Sequence, residues 1–177
     1  YEALLAVELS PQIGILVMIG FLLAFAVKIP LFPFHSWQPS TYTSSPMAGT
    51  MLLSAIMLKM ALFGMIKWMI PLCAEVKELG AWTIMILSVI GILYGAIIAI
   101  RQNDIKVLFA YASLSHLGII TAGIAVFNDE ALFGACIQML NHSLLSVGMF
   151  LVADILEQRL KSKNLSDMGG VAKLAPI

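Results

Sequence analysis

From Ala81 to Ile100 the chain reads AWTIMILSVIGILYGAIIAI, twenty residues without a charge. A bilayer core about 30 Å thick is crossed by roughly 20 apolar residues in a helix. Lipid offers no partner to backbone N–H and C=O groups, so a spanning segment must satisfy them within itself. A transmembrane helix meets both demands. Four further apolar stretches accompany this one, at about 11–40 (interrupted), 47–70, 105–126 and 131–156. With 60% hydrophobic and 11% charged residues and a mean hydropathy of +0.97, the chain has no room for a water-soluble domain. The expected fold is all-α, a polytopic membrane bundle of about five helices that makes one membrane domain over 1–177, with residues 157–177 as a tail.

The formal net charge is zero, and no basic cluster is interleaved with aromatics. Nucleic-acid binding therefore has no support. Cys73 and Cys136 lie far apart without CxxC or Cys/His spacing, so neither a disulfide framework nor a zinc site is indicated, and both read as packing residues. The chain starts at Tyr1 without a basic leader and stops just after a proline, as expected of a piece of a longer polypeptide. The connections between apolar segments are short, which makes neighbouring helices antiparallel. Lys and Arg gather on the cytoplasmic side of membrane proteins. Arg101, Lys106, Arg159, Lys161, Lys163 and Lys173 fall on one side, while Lys77 and Lys67 fall on the other with Glu2, Glu8, Glu75, Glu78, Asp129 and Glu130. The loop after the first segment and the C-terminal tail are therefore expected in the cytoplasm.

Within the segments a few polar groups stand at the wrong depth. Lys59 lies twelve residues after Met47 and eleven before Ile70, roughly 16–18 Å from either end. A charge there costs on the order of 2.5–3.5 kcal/mol on the translocon scale, so it calls for a partner. His116 and His142 each lie eleven residues into their segments, and imidazole exchanges protons near neutral pH. Each histidine alone is as compatible with a satisfied core residue. Three helices carrying titratable groups at one depth suggest a proton path between helices spaced about 8–10 Å apart. Asn141, Ser115, Ser143 and Ser146 can hold water along it or simply pack. Lys67, beside Trp68, reads as an interfacial anchor, and Gly91 with Gly95 reads as a close-packing face.

Lys28 is open to two readings. Either the first helix ends there and the lysine reaches for the interface, or the still-apolar IPLFPF that follows continues a helix broken by Pro30 and Pro33. Broken membrane helices line transport sites.

The motifs FAVKIPLFPFHSWQPSTY, IMLKMALFGMIKW, RQNDIKVLFAYASLSHLGII, IQMLNHSLLSVGMFL and DMGGVAKLAPI together resemble the antiporter-like proton-pumping subunits of respiratory complex I. The resemblance is to the M-type branch of the bacterial NADH-quinone oxidoreductases, counterpart of mitochondrial chain 4. It implies that the chain is most of the second of two inverted five-helix repeats, without the family's helix-five glutamate and helix-twelve charge. It also implies that the first helix is discontinuous, with the seventh-helix lysine at Lys28, the eighth-helix lysine at Lys59 and the two central histidines at His116 and His142. The sequence departs from the family pattern at Ser40, usually Asp, and at Ser143, where Gly is common.

The implied function is redox-driven proton translocation along Lys28, Lys59, His116 and His142, in a multi-pass protein of the bacterial inner membrane. The implied partners are lipid and the other membrane subunits of complex I. No NADH, flavin, iron–sulfur cluster or metal is expected in this chain. Three other readings remain at this stage: the D-type subunit of a multisubunit sodium/proton antiporter, a non-transporting membrane scaffold, and a membrane metal enzyme using His35, His116 and His142. The place of His35 beside Trp37 in a polar stretch argues against the last.

Overall fold

In a computed structural model of the chain, Glu2, residues 9–73 and residues 76–170 are described. Glu8, Glu75 and Lys173, the side chain of Lys77, and the tail beyond 170 lie outside the described residues. Most of the described residues are helical: α1 Pro11–Lys28, α2 Trp37–Ser44, α3 Met47–Leu72, α4 Lys77–Ile100, α5 Ile105–Ala125 and α6 Asp129–Leu160. Among the described residues five helices, all but α2, are long and apolar enough to cross a membrane. Their outward faces are apolar, with Leu16, Trp82, Phe133, Leu140 and Leu144 all exposed.

The first spanning element is broken. α1 begins with Pro11 in its first turn, where proline loses nothing because that N–H has no partner in the helix. It stops at Lys28, and 29–36 is non-helical before α2 resumes at Trp37. Three of the carbonyls at the break are nonetheless satisfied. Ile29 N–H donates to Phe25 O at 2.7 Å, Leu31 N–H to Ala26 O at 2.8 Å, and the Trp37 indole to Val27 O at 2.8 Å. Irregular backbone survives at membrane depth only when closed in this way. Trp37→Phe keeps an aromatic ring but removes the indole donor. It is expected to lower the stability of the purified protein by about 1 kcal/mol, read as a drop in thermal midpoint in detergent.

The stretch SWQPSTYTSSP has the polar composition of a loop but is mostly helix, so the broken element ends at Ser44 rather than near residue 40. Its hydroxyls account for this. Thr41 bonds Trp37 O, Thr43 bonds Pro39 O and Ser44 bonds Ser40 O, each four residues back, so the side chains are satisfied by their own helix. Gln38 and Tyr42 are buried. His35, assigned above to a polar stretch, lies buried in the break with its ring 4.9 Å from Tyr94 and 6.3 Å from Tyr111.

The tightest packing is in the α4–α5 hairpin. A Cβ on Gly95 would meet Tyr111 O at 2.8 Å, and one on Gly118 would meet Ile92 Cγ1 at 2.7 Å and Ser88 O at 2.9 Å. With both Cβ atoms absent, the backbones approach closely enough for Ser88 Oγ and Thr121 Oγ1 to bond across the helices at 2.7 Å. Gly91 instead faces the break, with Phe32 Cβ 3.8 Å from where its own Cβ would be.

α6 runs to Leu160, about 48 Å at 1.5 Å per residue. The tail therefore begins four residues later than the sequence reading placed it. After Leu160 the chain folds back on the α4–α5 turn: Ile105 N–H donates to Lys163 O at 3.1 Å and Leu165 N–H to Asn103 O at 2.8 Å. Lys106, counted above among loop cations, is buried and pairs with Glu157 at 3.0 Å. It is therefore a packed ion pair between α5 and α6, not a free loop charge.

Candidate functional site, a titratable cluster inside the bundle

α3 is not a uniform α-helix. Leu53–Met57 and Met65–Met69 are π-helical turns, a form that leaves carbonyls without their usual partners and recurs at functional sites. Two carbonyls of the first turn accept side chains. Lys59 Nζ donates to Ser54 O at 2.6 Å, and Ser143 Oγ, arriving from α6, donates to Ala55 O at 2.8 Å. Lys59 stands at the middle of α3, and its ammonium also meets His142 Nδ1 at 2.6 Å.

His142 is buried and fully engaged. Nδ1 faces Lys59 and, at 3.3 Å, Ser146 Oγ, while Nε2 contacts Ser113 Oγ at 2.9 Å. The His116 ring lies edge-on to it, centroids 5.9 Å apart, and His116 Nδ1 is buried without a hydrogen-bond partner. Ser113, His116, His142 and Ser146 border a cavity of about 50 Å³, enough for water bonded to several of them. On its other flank Lys59 borders an open groove of about 580 Å³ with Ala55, Met60, Phe63, Cys136 and Ser143.

Two nitrogens 2.6 Å apart cannot both aim a hydrogen at each other, so Lys59 and His142 hold one proton between them. If Lys59 is the ammonium, Nδ1 accepts and a neutral His142 carries its hydrogen on Nε2. If Lys59 is the neutral amine, it accepts from Nδ1–H. The proton changes owner without either side chain moving.

The structure thus brings Lys59, His116 and His142 together and leaves Lys28 apart. Lys28 is exposed at the C-terminal end of α1, where a cation complements the helix dipole. Among the described residues it makes no hydrogen bond or ion pair. Its level in the bundle is close to that of Lys59. A Cβ on Gly64 would strike Phe25, so in the antiparallel α1–α3 register Lys28 stands opposite residue 61, two residues from Lys59.

Of the polar groups named from sequence, Ser146 reaches His142, Ser143 bonds α3, Ser115 Oγ bonds Ile92 O at 3.1 Å, and Asn141 is exposed. The reading missed Ser113, which shares a helix face with His116 three residues on; that spacing was the available signal. Among the described residues no three His, Cys, Asp or Glu side chains converge as metal ligands.

The sequence profile described as NADH:quinone oxidoreductase/Mrp antiporter, transmembrane, matches residues 4–177. The chain belongs to this family. NADH-quinone oxidoreductase subunit M of Pseudomonas aeruginosa is 40% identical over 180 residues, covering 99% of this chain and 35% of the relative. A chain of respiratory complex I from Thermus thermophilus superposes with a TM-score of 0.90 at 32% identity, over 97% of this chain and 37% of that one. A chain of the Mrp complex of Dietzia shares the fold, with a TM-score of 0.80 at 23% identity over 86% of this chain and 28% of that one. The chain spans about a third of the length of the curated relatives it matches.

Proposed function

We propose that this chain is part of a subunit that moves protons across the membrane within an NADH-quinone oxidoreductase, through Lys28, Lys59, His116 and His142. The observation that carries the reading is the 2.6 Å contact between Lys59 and His142 at the middle of two spanning helices. An uncompensated charge at that depth is costly, and a purely structural contact needs no pair that can exchange a proton. Energy from quinone reduction elsewhere in the complex would alter hydration and charge around Lys28 and shift the proton between the two nitrogens. The cavity beside His116 gives it the next place to go. The oxidoreductase setting follows the relatives' names, and the partners are the other membrane subunits of that complex. The side holding the α2–α3 turn and the chain beyond α6 faces the bacterial cytoplasm, as Arg101, Arg159, Lys161 and Lys163 favour. The chain itself contributes proton carriers and no redox group.

A sodium/proton antiporter subunit is the second reading, because the matching profile covers Mrp antiporters as well. His142→Gln in the full-length subunit, assembled in its complex, tests the first. Glutamine offers Lys59 an acceptor and Ser113 a donor but does not titrate. Proton uptake into inverted membrane vesicles driven by NADH is expected to fall about 100-fold with assembly retained. Unchanged uptake would sink the reading, and NADH-independent sodium/proton exchange in the parent complex would favour the antiporter.

A further inference from the structure

Tyr42 is the one ionisable side chain of α2, and it is fully buried. Its ring packs edge-on against Phe150, centroids 5.4 Å apart, and Phe150 borders the same cavity as His116 and His142. Packing alone does not explain the hydroxyl. Gln38 Nε2 donates to it at 3.1 Å, so its own hydrogen must point elsewhere; Ser113 and Ser54 lie beside it, but the structure holds no hydrogen bond from Tyr42 to either, so the link forms only when the hydroxyls turn. Ser113 is the residue that touches His142 Nε2. Ser54 Oγ is completely buried and has no hydrogen-bond partner, and its carbonyl holds the Lys59 ammonium.

We propose that Tyr42 and Ser113 form a proton-conducting branch that joins the second half of the broken helix to His142. The inference rests on the proton-moving reading above and adds to it a way in from the α2 side. Each member of the chain can both donate and accept, so the branch has two polarities. With Lys59 charged, His142 Nε2–H donates to Ser113, and the Ser113 and Tyr42 hydroxyls, on turning, extend the chain to Tyr42 and then to the unpartnered Ser54 Oγ. With Lys59 neutral, Tyr42 donates to Ser113, Ser113 to Nε2, and Nδ1–H to Lys59.

Recharging proceeds from the second polarity. The Tyr42 O–H bond breaks as a Ser113 O–H bond forms, Ser113 gives its original hydrogen to Nε2, and Nδ1 gives its hydrogen to Lys59. Lys59 ends as ammonium, and the Tyr42 oxygen takes its replacement from a hydrated proton on the α2 side. Each residue in between gives one proton and receives one, Ser113 at its single oxygen and His142 by receiving at Nε2 and giving from Nδ1. The serine and tyrosine hydroxyls then rotate to restore the first polarity.

The test uses full-length subunits in assembled complex, with NADH-driven proton uptake by vesicles in H₂O and D₂O. Tyr42→Phe keeps the ring against Phe150 and removes only the hydroxyl. Ser113→Ala removes the link to His142 with little change in volume. Each is expected to slow uptake about tenfold, the upper end for loss of one hydrogen bond between neutral groups, and to raise the deuterium isotope effect because one hop becomes limiting. The double variant should be no slower than either single one, since both interrupt one chain. A hydroxyl with a merely structural role would lower the amount of assembled complex and leave the isotope effect of what remains unchanged. That result, or normal uptake by assembled Tyr42→Phe while His142→Gln is inactive, overturns the branch and leaves the row standing. Normal uptake by His142→Gln overturns both.

Discussion

Lys59→Arg is expected to stop proton translocation almost as completely as Lys59→Ala. Alanine removes the carrier and leaves His142 Nδ1 without the donor it meets at 2.6 Å. Arginine keeps the charge and can still reach Ser54 O, but guanidinium does not deprotonate in proteins. The site would stay positive and the single proton between residues 59 and 142 would lose one of its two homes. A lysine needed only for structure would tolerate Arg far better than Ala. NADH-driven proton uptake, measured on vesicles shown to contain assembled complex, should therefore fall about 100-fold or more in both variants, with Lys77→Ala unaffected as a control. Normal uptake by Lys59→Arg beside failed assembly of Lys59→Ala would make Lys59 structural.

The second large effect is expected at Gly118, which is two residues from His116 and packed against α4. Leucine there would drive its Cβ to 2.9 Å from Ser88 O and 3.2 Å from Ile92 N, which are backbone atoms unable to step aside. α4 and α5 would have to separate, and the Ser88–Thr121 bond at 2.7 Å and the Ser115–Ile92 bond at 3.1 Å would go with them. Overpacking of a fitted contact costs about 1–3 kcal/mol, and each lost bond adds about 1 kcal/mol. Gly118→Leu should leave little assembled subunit on an immunoblot of solubilised membranes. Gly148→Ala is the comparison, since its Cβ meets nothing within 4 Å and alanine favours a helix interior. Equal assembly of the two would show that α4 and α5 do not depend on that close approach.

The spanning segments were legible because lipid enforces them: length, apolarity and the cost of an unpaired amide leave one solution. The polar half of the broken helix was not legible. SWQPSTYTSS carries the composition of a loop, and its helicity depends on hydroxyls turning back on their own carbonyls while Gln38 and Tyr42 are buried by α5 and α6. Lys106 was miscounted for the same reason, since its burial depends on Glu157, fifty-one residues away in sequence. At the site, counting residues from the segment ends was enough to single out Lys59, His116 and His142, because depth is a local quantity in a helix. Ser113 and Tyr42 carry no such mark. A serine three residues before a histidine and a tyrosine in a hydroxyl-rich stretch become meaningful only when two other helices arrive beside them. The resemblance selected a broken helix around Lys28, and the backbone is interrupted there; the role of the lysine is a proposal.

The π-helical turn at Leu53–Met57 gives α3 a property that no side chain shows. Such a turn holds one residue more than an α-turn, and each residue in an α-helix advances the direction of its side chain by about 100°. The two parts of α3 are therefore out of phase, as a screw thread is when a washer is slipped partway along it. Residues before the turn and within it are aimed chiefly by the packing against α6, and those after it by the packing against α1. The helix can satisfy both sets of neighbours only because of the extra residue. Lys59 owes its direction toward His142 to that offset, so its aim is written in the number of residues that precede it as much as in its own identity.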